Sequence, residues 1–393
     1  MDITLAQQYI WRVAYRLVTE QEYTVVGSGG ENIELLSRKG KELRYVQLRL
    51  ADFLWGATMG YDLREGAGRM DDIRRQLRAR AIQGQIVYVC YKPVTEGMRD
   101  ALQQEEGIHE QQVSLDLAGY DFTQRQWIIR DRREKEPEIV SPQLLDDTPY
   151  GDEEPPASYW MRSIEQAEME RESEVRSTFF YGKPRFTYAF LAIIIAVFIL
   201  MELSGGSQDP RVLLLFGAKF NPLILAGEWW RFVTPMFLHI GFMHILFNGV
   251  ALYSLGTLTE QIYGSARFFV IYMISGISGV VGSFAFSDNI SAGASGAIFG
   301  LFGALLYFGT QNKNLFFQTL GTNILVVLGI NLVIGFLSPG IIDNYAHLGG
   351  LVGGFLASAL MGMPRHGSRT GIRIGAIILL VLLLWWGLRT GGL

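Results

Sequence analysis

The chain has 393 residues, a net charge of −4 and a single cysteine. So small a net charge gives no electrostatic footprint for a nucleic-acid partner, and one cysteine excludes an internal disulfide. The averages hide a division, because residues 1–185 hold 25 Lys/Arg and 32 Asp/Glu, leaving 9 and 6 for residues 186–393. A charged half followed by an apolar half predicts a water-soluble domain joined to a membrane domain.

In the first half, residues 4–19 place Ile10, Val13, Ala14 and Leu17 on one side of a helix. Three β-rich runs follow at 23–26, 33–36 and 43–50, and the turn Arg38-Lys39-Gly40-Lys41 marks a hairpin between the last two. Met70, Ile73, Leu77 and Ala81 recur at helical intervals. The arginines between them, Arg74, Arg75, Arg78 and Arg80, read as a solvated face, with anionic lipid headgroups as a second reading. A strand is predicted over 85–91, where the apolar run Ile86-Val87-Tyr88-Val89-Cys90-Tyr91 makes Cys90 a core thiol rather than a nucleophile. A helix over 95–104 and a strand pair near 111–117 and 126–130 complete an α/β or α+β domain spanning 1–133. His109 lies beside Glu105, Glu106 and Glu110, a composition that can bind a divalent metal but more often forms a solvated helix end. The run Tyr45-Val46-Gln47-Leu48-Arg49 resembles a restriction-endonuclease-like core, yet Gln47 and Arg49 stand where its carboxylate and lysine belong, which argues against nuclease activity. The N-terminus has no basic–apolar–small signal pattern, so this half is expected in the cytoplasm.

Residues 134–180 are acidic and proline-containing and read as a linker with a polar helix across 157–175. Seven apolar segments follow, near 186–203, 241–260, 266–286, 294–311, 315–337, 345–363 and 372–388, several of them close to the roughly 20 residues that cross a bilayer. Lys183 and Arg185 precede the first, and Arg267, Lys313, Arg365, Arg369 and Arg373 fall in loops on the same side. The short turns on the other side hold Asp288 and Asp343. The positive-inside rule thus puts the N-terminus inside and the C-terminus outside, with Trp385-Trp386 near the outer interface. The outside connection 204–240 is too apolar for a water-exposed loop and is expected to be partly embedded in the outer leaflet.

Polar residues in a membrane span are costly, and three places concentrate them. His239-x4-His244-x3-Asn248 opens the second span, with His244 and Asn248 one turn apart on one face. Gly293-Ala294-Ser295-Gly296 opens the fourth, and Asn344-Tyr345-Ala346-His347-Leu348-Gly349-Gly350 opens the sixth. Even-numbered spans run parallel and start on the outer side, so all three sites lie at similar depth. A serine, a histidine and nearby donors are what acyl transfer requires, and Ser295 at a helix start adds free backbone N–H groups. Gly296-x3-Gly300 and Gly350-x3-Gly354 give both helices small faces for close approach.

Together with Glu228-Trp229-Trp230-Arg231, these motifs resemble the rhomboid family of intramembrane serine proteases, in order and over about residues 185–363. The resemblance implies a Ser295–His347 dyad, and an oxyanion hole formed by His244, Asn248 and the Ser295 backbone N–H. It implies a tight turn at Gly293, structural roles for Trp230, Arg231 and His239, and a mobile lateral gate over 315–337. Phe299 stands where many relatives have a tyrosine stacked on the catalytic histidine, and the ring alone suffices for stacking. Asp343, four residues before His347, reads as a helix cap rather than a third triad member, and Asn344 is a candidate for the active-site mouth.

The resulting expectation is a polytopic α-helical membrane protein of six-plus-one spans. A soluble domain occupies 1–133, a linker 134–180, the catalytic core 181–363, and a loop with the seventh span 364–393. It would lie in a bacterial plasma membrane, cut transmembrane helices near the outer face without a cofactor, and use residues 1–133 to recruit a client or partner or to regulate. The alternative is a membrane adaptor that binds client helices without cutting, or a protein with both roles in membrane protein quality control. Inactive relatives lose the serine or the histidine, and this chain keeps both.

Overall fold

A mixed seven-stranded sheet organises the first of two units, Met1–Ser173, in the computed structural model, which describes residues 3–52, 56–128, 139–149, 155–338, 342–364 and 370–393. In chain order the elements are α1 (Ile3–Gln21), β1 (Thr24–Ser28), β2 (Asn32–Lys39), β3 (Glu42–Ala51), α2 (Gly56–Gln76), β4 (Ala81–Cys90), α3 (Glu96–Gln104), β5 (Ile108–His109), β6 (Val113–Asp121), β7 (Gln126–Ile128), α4 (Pro142–Asp146) and α5 (Ala157–Phe179). The strands lie in the order β1-β2-β3-β4-β6-β5, with β7 also on β6. The β2–β3 hairpin closes at the Lys39–Glu42 pair, and its turn places Gly40 at φ +66°, where a side chain would be strained. β4 pairs in parallel with both β3 and β6, so the sheet centre is covered on both faces.

Strand alternation sorts the core into two layers. Val46, Leu48 and Leu50 pack with Tyr9, Ile10, Val13 and Leu17 of α1 on one side. Leu43 and Tyr45 face Met59, Leu63 and Met70 of α2 and Met98 and Leu102 of α3 on the other. Cys90 is fully buried in this second layer. Burial, with a smaller contribution from the Asp121 charge, pushes its thiol up to about 12, as suits an inert core residue.

The structure departs from the sequence reading in three places. Ala81 is not a helical position: α2 ends at Gln76, Arg78 takes a positive φ of 51°, and the reversed chain enters β4 at Ala81, opposite Glu42. His109 lies in the short strand β5, opposite Ser114, rather than at a helix end. Part of the segment read as linker belongs to the core. Ile139, Val140, Leu144, Leu145 and Ile164 are buried against α1 and the sheet, and Arg171 of α5 donates to the Val18 and Tyr23 carbonyls. Alternating charge and proline hid these few apolar contacts. The acidic runs 134–138 and 152–154, residues 129–130 of the last predicted strand, and Arg365 and Arg369 lie outside the described residues.

The second unit, Glu174–Leu393, is helical. It comprises α6 (Arg185–Leu203), α7 (Pro210–Phe216), α8 (Asn221–Leu225), α9 (Phe242–Ala251), a π turn (Leu252–Gly256), α10 (Thr257–Tyr263), α11 (Ser265–Phe286), α12 (Ser295–Gln311), α13 (Lys313–Thr319), α14 (Gly321–Leu337), α15 (Asn344–Met361) and α16 (Thr370–Thr390). Among the described residues, four helical stretches are long and apolar enough to cross a membrane: Arg185–Leu203, Phe242–Tyr263, Ser265–Phe286 and Thr370–Thr390. The run predicted over 315–337 is two helices that meet at Leu320. The fourth and sixth predicted spans, α12 and α15, have 17 and 18 residues. At 1.5 Å per residue they reach only about 25–27 Å, short of a ~30 Å hydrocarbon layer.

The start of α6 is held by a buried carboxylate that the sequence reading passed over. Glu260 accepts from the backbone N–H groups of Arg185, Phe186 and Thr187 at 2.8–2.9 Å, and from the Thr187 hydroxyl at 2.8 Å. It therefore satisfies a helix end that no local side chain caps.

In the first unit, Leu145→Ala should lower stability by about 2–5 kcal/mol, because Leu145 is fully buried and its carbonyl accepts the Tyr9 hydroxyl. Urea unfolding of the full chain followed by tryptophan fluorescence measures this. A change below about 0.5 kcal/mol would place 139–149 outside the core.

Candidate active site

Glycine decides how the site is assembled. A Cβ at Gly350 would overlap the Gly296 carbonyl, and one at Gly354 would overlap the Gly300 carbonyl. Gly296 lies against Ala346, Gly300 against Gly350, and Gly303 against Leu351 and Phe355, so the two helices run parallel with their backbones in contact. On its other side α15 packs antiparallel on α11, with Gly349 against Ser278 and Gly282 against Tyr345. Ser295 is the first residue of α12 and His347 the fourth of α15, so this contact brings both to one end of the bundle.

The two helix starts are treated differently. Asp343 caps α15, its carboxylate accepting from the Ala346 N–H at 3.0 Å and from the Ser283 hydroxyl. This is the cap expected from sequence. No side chain caps α12, whose N-cap position is Ala294. Its first N–H groups are therefore free to meet developing negative charge.

His244 stands beside that open end. Its Nδ1 faces the Ile240 N–H at 3.3 Å, which assigns Nδ1 as acceptor and leaves Nε2 as the donor of a neutral ring. Nε2 lies only 2.9 Å from where a Gly293 Cβ would be, and that point is 3.7 Å from the Ser295 hydroxyl oxygen. Gly293 also has φ +141°. Both its conformation and the neighbouring ring therefore demand glycine. The Gly293 N–H donates to the Pro235 carbonyl at 2.9 Å, fixing the turn.

The remaining residues support this arrangement. Asn248 is buried on the His244 face of α9 and spends one amide hydrogen on the His244 carbonyl at 3.0 Å. His239 is fully buried, edge-on to His244 at 5.2 Å, with Nε2 at 3.5 Å from the Ala294 N–H. The ring of Phe299 stacks on His347 with centroids 4.0 Å apart and planes 10° from parallel. Among the described residues no hydrogen bond joins Ser295 to His347, and the buried His347 Nδ1 has no partner. Unbound sites often leave such bonds long.

Arg231 is buried and ties its loop together. It bonds Glu228 at 2.7 Å, the Ala218 carbonyl at 2.8 Å and the Leu214 carbonyl at 3.0 Å. Trp230 beside it is 56 % exposed, as is Trp229 at 67 %. Asn344 donates to the Gly335 carbonyl at 2.9 Å, linking the start of α15 to the last turns of α14.

The metal site considered for the first unit does not form. His109 Nδ1 pairs with the Ser114 hydroxyl at 2.9 Å and Nε2 is 3.6 Å from Asp116. Among the described residues, no group of three or more His, Cys, Asp or Glu is placed to hold a metal ion. The nuclease-like position is also closed, since Arg49 pairs with Asp62 at 2.7 Å, and Asp62 in turn accepts from the Tyr88 hydroxyl.

The family model for the Rhomboid domain matches residues 226–364. The chain is 36% identical, over 98% of its length and 76% of the relative's, to the Rhomboid protease GluP of Bacillus subtilis (strain 168). This chain belongs to the rhomboid family of intramembrane serine proteases. Similarity over a shorter part of the chain extends to plants. It is 39% identical to RHOMBOID-like protein 9, chloroplastic, of Arabidopsis thaliana over 36% of this chain and 33% of that one. It is 41% identical to RHOMBOID-like protein 7 of Arabidopsis thaliana over 36% of this chain and 46% of that one. Because the match to the Bacillus relative covers 98% of this chain, it extends through the sheet-containing unit.

Gly350→Val should abolish proteolysis, because a side chain there pushes α12 and α15 apart and separates Ser295 from His347. Phe299→Tyr should retain activity and Phe299→Ala should lose most of it, since only the ring lies on His347. Initial cleavage rates in detergent micelles check all three. An active Gly350→Val would show that the helix contact is dispensable.

Proposed function

We propose that Ser295 is the nucleophile and His347 the general base of this rhomboid protease. The Ser295 oxygen attacks the scissile carbonyl carbon while its proton passes to the His347 ring. Negative charge gathers on the carbonyl oxygen, where the Ser295 backbone N–H, His244 Nε2–H and the Asn248 amide supply donors. Collapse breaks the C–N bond, and His347 returns the proton to the departing amine. Water then hydrolyses the acyl-enzyme by the same route. The observation that carries this reading is the uncapped start of α12 facing the donor nitrogen of His244. Asp343 is engaged in capping α15, and among the described residues His347 Nδ1 has no partner, which favours a dyad over a triad. The reaction needs no cofactor.

The substrates of the family are transmembrane proteins in the bilayer. The finer placement is inferred from charge and length. Lys183 and Arg185 before α6 would put the N-terminus in the cytoplasm of a bacterial cell, and the seven spans read from the sequence would put the C-terminus outside. Because α12 and α15 are short, Ser295 and His347 would lie a few Å below the outer surface, near the level of Trp229 and Trp230. A substrate helix must unwind locally to expose its peptide bond, entering past α14, whose Val326, Ile330, Val333 and Phe336 are exposed. The first unit is assigned client recruitment or regulation. Retention of Ser295 and His347, together with the protease relatives, disfavours a purely non-catalytic adaptor.

With a model transmembrane substrate in liposomes, Ser295→Ala should cut at least about 10³-fold more slowly than wild type. Equal cleavage by the two proteins would overturn the assignment.

A further inference from the structure

Lys219 is the one lysine of the 204–240 loop, and it is fully buried. A buried ammonium needs acceptors to offset lost hydration. Its Nζ donates to the Ser287 carbonyl and, at 3.2 Å, to the Asn289 carbonyl. Its backbone also pairs with Ser291, N–H to carbonyl at 2.9 Å one way and 3.1 Å the other. A single residue thus grips the 287–291 turn at three points, and that turn leads through Gly293 into Ser295. The neighbouring Asn221 amide adds a longer contact to the Asp288 carboxylate of the turn at 3.4 Å and donates to the Phe284 carbonyl at the end of α11 at 3.0 Å.

Lys219 is itself held from the other side. Arg231 donates to the Ala218 carbonyl and the Thr234 hydroxyl donates to the Gly217 carbonyl, at 2.8 and 2.6 Å. The buried Arg231 therefore connects to the nucleophile turn through Lys219. The charges facing the ammonium are Asp288 on the turn and Asp343 at the cap of α15. Desolvation pushes Lys219 down to about 8, and both carboxylates oppose that shift.

We propose that Lys219 is a positioning residue that holds the 287–291 turn, and through it the Ser295 hydroxyl, in register with His347. The inference rests on the assignment of Ser295 as nucleophile. A role in placing the nucleophile affects the chemical step and leaves binding of the substrate helix intact, whereas a merely structural role lowers the amount of folded protein.

The test uses the full chain in liposomes with a model transmembrane substrate, comparing wild type, Lys219→Met, Lys219→Arg and Ser295→Ala, with rates normalised to folded protein by gel filtration and near-UV circular dichroism. Lys219→Met should lower kcat at least about 10-fold, as expected for a small misplacement of a reacting group, with KM within about twofold. Lys219→Arg, which keeps charged donors, should stay at least about threefold above Lys219→Met. A normalised kcat for Lys219→Met within about twofold of wild type, a KM that rises in step with the lost rate, or an arginine variant no better than methionine would overturn the proposal. If Ser295→Ala cuts like wild type, the nucleophile assignment itself fails. If it is inactive while Lys219→Met is not impaired, only the role of Lys219 fails.

Discussion

Everything at the candidate site depends on two helices that touch through their backbones. Gly350 and Gly354 on α15 meet the Gly296 and Gly300 carbonyls of α12 with no room for a Cβ at either α15 position. In a bilayer no hydrophobic gain drives helices together, so close packing of bare backbone must supply the attraction. The same contact fixes the relative height of the two helices to within a turn. It therefore determines that a serine at the start of one helix and a histidine one turn into the other occupy the same end. Phe299 then limits the histidine ring to one plane.

Around that contact, charge is spent in part on backbone groups. Glu260 closes the start of α6, Asp343 closes the start of α15, and Arg231 gathers the Leu214 and Ala218 carbonyls. Each satisfies polar groups that lipid cannot. By contrast, the start of α12 has no side-chain cap, and the His244 ring lies close to it. The open start of α12 leaves backbone donors beside the His244 ring.

Much of this was legible in the sequence because membrane helices make polar residues conspicuous. Ser295, His347, His244 and Asn248 stood out as costly in their spans, and the small-x3-small spacing located the contact between α12 and α15. What was not legible depended on distant partners. Nothing local to Glu260 or Lys219 tells that one caps a helix 75 residues upstream or that the other holds a turn 70 residues downstream. The soluble unit was harder for a different reason. Its strands alternate clearly, so the sheet was predictable, but Arg78 ends a helix that periodicity alone would extend to Ala81. Leu144, Leu145 and Ile164 carry core contacts inside a segment whose composition resembles a linker.

The central claim is that Ser295 is activated by its setting, and covalent capture tests it most directly. The full chain, reacted with a small fluorophosphonate and digested, is mapped by peptide mass spectrometry beside a His347→Ala variant. The account predicts a single adduct, on the peptide containing Ser295, that is lost when His347 is replaced. An adduct on another residue, or undiminished labelling of Ser295 without His347, would contradict it.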